Sequence, residues 1–438
     1  MMNNNLNSII SYIKSKGVDQ YELFFEEKKK FQFILERGKK DFASQGDIRS
    51  LGIRVAIGKK IGFSSTLNIP HYKECVDQAI KIAKLNRSDE NFKRFAYDKG
   101  KGNSSLGYDK KLLDFSIEDI NDLVDNYFKN INNIGKSIKI VAGEYERVIS
   151  DITIINSEGI NVVKKEATNN FYGELLDGKD NVYGGVHASK LPIKPDVATS
   201  DLKRLFSMRN KSQPVTKDRQ LLLHPEALVD LISYPFMFSV SADNVQLKKS
   251  FFTGKLNKIL FDKKISIFDD ATAKNLLCSR PYDDEGIVSR KNNLVVNGVL
   301  KSFLYDTHSA YYENKKSTGN AFRGYNSSPS IHSNNILMKT GNKSEEKIIS
   351  SIDNGIYVKD FIGAHTMDET TGEFSLGIAE GFVIENGEIK YPVKDVMIGA
   401  NFYKLLANVE AISNKLIDTN KGYYLPVVLC GDVKVTGK

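Results

Sequence analysis

The sequence predicts an α+β protein built from two different α+β domains, the second rich in antiparallel strands. Three observations predict it. Helical spacing and period-two alternation occur in separate blocks rather than as alternating βαβ units. Hairpin signals, Asn297-Gly298 and Asn386-Gly387, fall in the second half, where strands dominate. A polar stretch without periodicity, RNKSQPVTKDRQ at 209–220, divides the chain, which places the domains at 1–212 and 213–438.

The elements follow in order. Leu6, Ile9, Ile10 and Ile13 have helical spacing over 6–16. Segments 21–27, 30–37, 50–58 and 60–66 read as strands of a meander, with a turn at Gly58-Lys59-Lys60. Helical spacing returns over 70–86, and again over 116–131, where Ser116 is placed to cap and acids occupy the first turn. Strands follow, with a hairpin turn at Ser157-Glu158-Gly159 and a further strand ending near His187. A helix is expected at 198–209. In the second half, the strand QLLLHP leads into a helix from Pro225, since Pro suits a first helical turn. Helices are expected at 344–354 and 401–413, and LPVVLCGDVKVTG closes as a strand.

Composition narrows the function classes. The chain has 438 residues, 41% of them apolar, and no run of apolar residues long enough to span a membrane. The polar N-terminus MMNNNLNSIISYIKSKG has no signal-peptide core, so a soluble cytoplasmic protein is expected. The net charge of +8 is spread without a basic stripe, which argues against nucleic-acid binding. Cys75, Cys278 and Cys430 are far apart and form no CxxC, which argues against a disulfide framework or zinc knuckle.

The stretch LLLHPEALVDLISYPFMFS at 221–239 poses the question of a metal site. Zinc-peptidase chemistry needs imidazoles on one helix and a Glu directly after the first His, facing the bound water. Here His224 is followed by Pro225, Glu226 comes one place late, and the next His is His308. Glu226 and Asp230 read instead as acids early in a helix, where they favour the dipole.

Four stretches in order carry a resemblance: RPYDDEG at 280–286, VVNGVLKSFLYDTHSAYYENKKSTGNAFRG at 295–324, TTGEFSLGIAEGFVIENGEIKYPV at 370–393 and MIGANFYKLLANVEAISN at 397–414. Their order and spacing resemble the TldD/PmbA family, also called modulators of DNA gyrase. The resemblance covers most of the chain and is strongest from about residue 220. It implies two α+β domains and a two-subunit assembly enclosing a cavity. It also implies proteolysis of unfolded or small peptide substrates, including maturation of peptide antibiotics in some bacteria. In that family a TldD-like subunit carries zinc on an HExxxH helix with a later Cys, and a PmbA-like subunit, also called TldE, lacks those ligands. The metal slot of this chain then falls near Ser233, Tyr234 and Phe238, with Pro235 disturbing the helix. The stretch SNKLIDTNKGYYLP holds no Cys where the late ligand would lie, and Cys430 comes after it, inside the last strand. The resemblance is thus to the PmbA/TldE-like subunit. It implies no catalytic residue, metal or cofactor in this chain, zinc in a TldD-like partner, a heterodimer with that partner or a homodimer, and peptide substrates.

Other constellations carry weaker expectations. Asp283, Asp284, Glu285 and Gly286 read as a structural turn, because consecutive acids point in different directions and Gly allows positive φ. Ser317, Thr318, Gly319 and Asn320, with Arg323 and His332 downstream, are candidates to hold a peptide carboxylate or carbonyl. Thr371 and Gly372 precede a strand whose edge is a candidate for peptide addition, and in TldD-like chains the matching segment lies near the active site. Thr307-His308-Ser309 lacks the geometry of a serine triad. Two alternatives stand beside the subunit reading. One is a self-sufficient peptidase, with His187, His308, His332 and His365 converging. The other is a nonenzymatic binder, such as a gyrase modulator.

Overall fold

The computed structural model describes residues 2–98, 100–134, 138–177, 180–196, 199 and 212–437. The first half is one antiparallel sheet of long strands: β1 (Gln20–Glu36), β2 (Lys39–Ile57), β3 (Lys60–Thr66), β4 (Lys139–Asn156), β5 (Asn161–Asp177) and β6 (Asp180–Ser189), in the order β3-β2-β1-β4-β5-β6. The separate strands expected at 21–27 and 30–37 are one strand. Tyr21, Leu23 and Phe25 and then Phe31, Phe33 and Leu35 are buried, so the alternation keeps its phase through Lys28-Lys29-Lys30. The turn comes later, at Arg37 and Gly38, both with positive φ.

Helices cover one face of this sheet. Helices α1 (Met2–Ser15) and α2 (Tyr72–Leu85) pack Ile9, Ile13, Val76 and Ala79 onto Leu23, Phe25, Ile53 and Val55. The short α3 (Lys110–Leu113) precedes α4 (Ile117–Asn132). Ser116 and Asp119 make a reciprocal capping box at the start of α4. Its buried residues Ile120, Leu123, Val124, Tyr127 and Ile131 follow the helical repeat onto Phe33, Leu35 and Phe171. The helix expected at 198–209 lies outside the described residues apart from Thr199.

The second half runs through β7 (Arg219–Leu223), β8 (Ile267–Asp270), β9 (Lys291–Val296), β10 (Val299–Leu300), β11 (Ala321–Phe322), β12 (Ser330–Ile331), β13 (Ile336–Met338), β14 (Asn354–Ile362), β15 (Glu373–Glu385), β16 (Glu388–Pro392), β17 (Val396–Asn401), β18 (Val409–Ile412), β19 (Ile417–Asp418), β20 (Tyr423–Leu425) and β21 (Val428–Gly437). Pairing runs β14-β7-β21-β17-β15 and returns from β15 to β14, so these strands close a ring. The ring closes because β15 changes partner along its length: Glu373–Gly377 pair with β17, and Gly377–Glu385 pair with β14. Leu221 and Leu223 face the main core beside the helix Pro225–Leu231, while Leu222 faces a second cluster with Ile348 and Ile352. A second mixed sheet has the order β10-β9-β8-β13-β20-β19.

The hairpin turns at 297–298 and 386–387 form where expected, each with both residues at positive φ. Two helices are shorter than expected. The one at 344–354 spans Glu345–Ile349, and Asn354 opens β14. The one at 401–413 ends at Ala407, because Val409 and Ile412 pair with Cys430 and Val428 of β21. The architecture is α+β. No helix among the described residues is long and apolar enough to cross a membrane.

Tyr127 shows how tightly α4 docks. Its hydroxyl is buried with no hydrogen-bond partner among the described residues, and a Cβ added at Gly173 would lie 1.8 Å from that oxygen. Gly173→Ala is therefore expected to cost about 1–3 kcal/mol in urea unfolding. Tyr127→Phe should restore most of that loss, and alone should leave stability equal or higher, because it removes an unsatisfied buried hydroxyl.

Candidate functional site

The acidic turn at 283–286 is buried between the first sheet and the second half. Each residue faces its own partners. Asp283 Oδ1 accepts from the amides of Glu285 and Ile287, both at 2.9 Å, and Oδ2 accepts from the amide of Ala321 at 3.1 Å. Asp284 takes Lys164 Nζ at 2.6 Å and the Arg323 amide at 2.9 Å, with Arg280 at 3.7 Å. Glu285 takes Arg54 at 3.1 Å and the Thr307 amide at 2.8 Å. Gly286 has φ +82, and a Cβ there would lie 2.5 Å from Ile160.

Arg54 also holds Glu22, through Nε at 2.9 Å and Nη2 at 3.0 Å. Arg323 Nη2 lies 2.7 Å from Glu22 and its guanidinium sits over the Phe24 ring, yet its nitrogens make no well-directed hydrogen bond. Arg323 is thus held by charge proximity and stacking. The electrostatics follow from this wiring. Burial, then Glu285, push Asp283 up to about 7. Burial opposes ionisation of Asp284 and Glu22 as well, but Lys164 and Arg280 hold the first below the usual carboxylate range, and Arg323 and Arg54 the second.

The loop at 317–320 is held from within. Ser317 and Thr318 hydroxyls bond the Tyr305 carbonyl, and the Gly319 amide is taken by Ser317 Oγ at 3.2 Å. Asn320 is fully buried and donates to Asp269 and to the His332 carbonyl. Asp269 also receives Asn292 and Asn334, so three asparagine amides surround one buried carboxylate. The His332 ring lies 5.2 Å from Phe322, and burial lowers its affinity for a proton. Residues 317–332 therefore come together with the acidic turn.

Thr371 and Gly372 lie elsewhere, beside the helix from Pro225. That helix continues through a π turn, Ile232–Phe236, with Pro235 inside it. Tyr403 closes over this turn: its hydroxyl donates to the Pro235 carbonyl at 3.1 Å and pairs with Ser239 Oγ at 2.7 Å. Phe251 stacks on Tyr403 at 3.8 Å, and Lys255 Nζ lies 3.2 Å above Phe251. Gly372 has φ +75 and lies so close to the Tyr403 ring that a Cβ would stand 2.7 Å from it. β14 ends at Ile362 opposite Gly377, so Phe374–Leu376 have a described ladder partner, β17, on one side only.

The segment where the resemblance places the metal slot presents Ser233, Tyr234 and Phe238, next in sequence to the Pro235 carbonyl and Ser239 that Tyr403 engages. Neither phenyl ring nor phenol matches the imidazole and thiolate donors zinc favours, so these residues do not fit the metal. His224 caps the helix, its Nδ1 accepting the Glu226 amide at 3.3 Å. His308 pairs with Asp89 at 2.7 Å, and His365 lies in the short helix Ala364–Thr366. The His187 side chain lies outside the described ones. Among the described residues, no three His, Cys, Asp or Glu side chains gather as a metal site. Cys430 is buried in β21, which pushes its thiol up to about 12.

Glu22, Arg54, Lys164, Asp269, Asn292 and Asn334 were not among the sequence candidates, whereas Asn320 was. Glu22 and Arg54 carried a faint signal, each being a charge inside an apolar strand, YELFF and GIRVA. Asn292 and Asn334 are far from Asp269 in sequence and carried none.

Two predictions test these sites. Lys164→Met leaves Asp284 buried beside a lost cation and is expected to cost about 3–5 kcal/mol in urea unfolding, less when combined with Asp284→Leu. Burial, then Asp360, push Asp230 up to about 6 from its ordinary 3.8. Its contribution to stability is complete below the unfolded value and is lost as pH rises through the folded one. Asp230→Asn should therefore raise stability by about 1–2 kcal/mol at pH 7.5, an advantage that fades by about pH 4 in paired unfolding titrations.

Residues 216–437 match the PmbA/TldA metallopeptidase C-terminal domain, and residues 21–83 match PmbA/TldA metallopeptidase domain 1. An uncharacterised protein of Methanocaldococcus jannaschii is 28% identical over 408 residues, spanning 91% of this chain and 92% of that one. A metalloprotease of the same organism is 25% identical over 415 residues, spanning 91% and 88%. The crystal structure of TldE from Thermococcus kodakarensis shares the fold, with a TM-score of 0.86 at 24% identity over 99% of this chain and 100% of that one. This chain belongs to the PmbA/TldD metallopeptidase family.

Proposed function

We propose that the chain is the metal-free, PmbA/TldE-like subunit of a two-chain metallopeptidase that cleaves peptides and unfolded segments. A TldD-like companion supplies the zinc, and this chain completes the substrate cavity. The observation that carries the reading is the chemistry of the slot: Ser233, Tyr234 and Phe238 do not fit the metal, and the π turn beside them is engaged by Tyr403, on which Phe251 stacks. The one-sided edge at Phe374–Leu376, beside Thr371 and Gly372, suits an extended peptide by strand addition. The names of relatives, metalloprotease among them, support a peptidase context.

The test is elemental analysis together with a peptidase assay. The purified chain, prepared with ample zinc, is expected to hold well below one zinc per chain and to leave a fluorogenic peptide intact. Adding the metal-bearing family member from the same genome should give cleavage that neither chain reaches at the same concentration alone. Stoichiometric zinc in this chain, or cleavage by it alone that a chelator abolishes, would overturn the reading.

A further inference from the structure

The segment 246–264, QLKKSFFTGKLNKILFDKK, holds six lysines and one acid, Asp262. It closes one side of the main core: Phe252 is buried, and Phe251, Leu256 and Leu260 pack half-buried against that core. Its shape is fixed by its backbone. The amides of Thr253, Lys255 and Lys258 bond the carbonyls three residues back, and Ile259 bridges Val299 of β10. The Lys258 carbonyl accepts the Leu300 amide at 3.1 Å, which brings Lys301, the next residue of that hairpin, beside the segment.

What the segment leaves outside is cationic and apolar together. Ile259 is 77% exposed and Leu247 is 63% exposed. Lys248 and Lys249 follow Leu247, Lys258 precedes Ile259, and all three are exposed, as is Lys263. Lys255 is half-exposed, its Nζ 3.2 Å above the Phe251 ring. None of these lysines has a carboxylate partner among the described residues. The neighbouring acids in sequence are engaged otherwise: Asp243 Oδ1 takes the Ser241 hydroxyl at 2.6 Å, and Asp262 takes Lys264 at 3.2 Å. Burial, then Lys258, lower the Lys255 ammonium from its ordinary value, so like charge gathers here uncompensated. Lysines elsewhere meet acids, as at Lys16–Asp77, Lys40–Asp125 and Lys59–Glu90. Ammonium groups strung along an exposed segment suit an extended anionic surface, which neutralises each one where it stands. An apolar side chain held out between them gains when it enters the acyl boundary of such a surface. A disordered acidic peptide would meet the lysines and leave Leu247 and Ile259 in water.

We propose that the segment 246–264 docks this chain on an anionic lipid surface, with Leu247 and Ile259 entering the headgroup boundary and the lysines meeting lipid phosphates. The contact is peripheral and needs no membrane-spanning helix. It stands independently of the peptidase reading, because neither the zinc nor the peptide edge takes part in it.

The experiment uses the full chain and two kinds of vesicle, with binding read by co-sedimentation. One kind is phosphatidylcholine alone, and in the other about a third of the lipid is phosphatidylglycerol. Binding to the anionic vesicles is expected to be about tenfold stronger or more, and to weaken as salt is raised. Lys248→Gln, Lys249→Gln and Lys258→Gln together should remove most of that preference, and the same three changes to Arg should keep it. Leu247→Ser with Ile259→Ser should weaken binding to the anionic vesicles severalfold. These side chains are exposed, so thermal stability should stay close to that of the parent chain. Lys81→Gln, Lys84→Gln and Lys110→Gln together change the net charge equally and should leave the preference intact. Equal binding to both vesicles, binding to neither, or a preference that survives the first triple variant would overturn the proposal. Capture by polyglutamate in place of the anionic vesicles would overturn it too, and would name an acidic protein as the occupant.

Discussion

The packing of the two halves depends on buried charge. Glu22 and Arg54 come from the first sheet, Glu285 and Arg323 from the second half, and all four are nearly or fully enclosed. Lys164 and Asp284 repeat the arrangement a few residues away. Burying any one of these charges alone would be costly, so each half is complete only against the other. Oily faces slide over one another with little penalty, whereas a guanidinium fork accepts few geometries. The junction fixes orientation more than it supplies net stability. It also explains why the helix-free face of the first sheet carries acids and lysine among its apolar residues.

The second organising feature is the closed ring of strands beside the helix from Pro225. β15 serves two neighbours in succession, which places Gly372 at one end of the ring and under Tyr403. A proline inside a helix removes a donor and crowds the preceding turn, and the wider π turn absorbs both effects. The carbonyl of Pro235 then finds the Tyr403 hydroxyl. Aromatic stacking thus braces the π turn from above, through Tyr403 and Phe251.

Local chemistry made much of this fold readable. Asn-Gly pairs announced two hairpins because both residues tolerate positive φ, and Ser116 with Asp119 announced the start of α4. The lysine run at 28–30 concealed the continuity of β1, since solvated lysines interrupt an apolar pattern without interrupting a strand. Val409–Ile412 continued a helical pattern until β21 offered a ladder, a tertiary choice that no local window contains. The loop at 317–320 read as a polar turn open to ligands. Its polarity instead meets Tyr305, Asp269 and His332, residues whose nearness is set by the fold alone. The junction was hidden for the same reason: Arg54 and Glu285 stand 231 positions apart.

The length of β1 has a mechanical consequence. Glu22 sits at the anchored end, and the hairpin tip at Arg37-Gly38 lies fifteen residues further along the strand. At a strand rise of about 3.3 Å that is a lever of roughly 50 Å. Each degree by which the ionic contacts at Glu22 set the strand direction displaces the tip by about 1 Å.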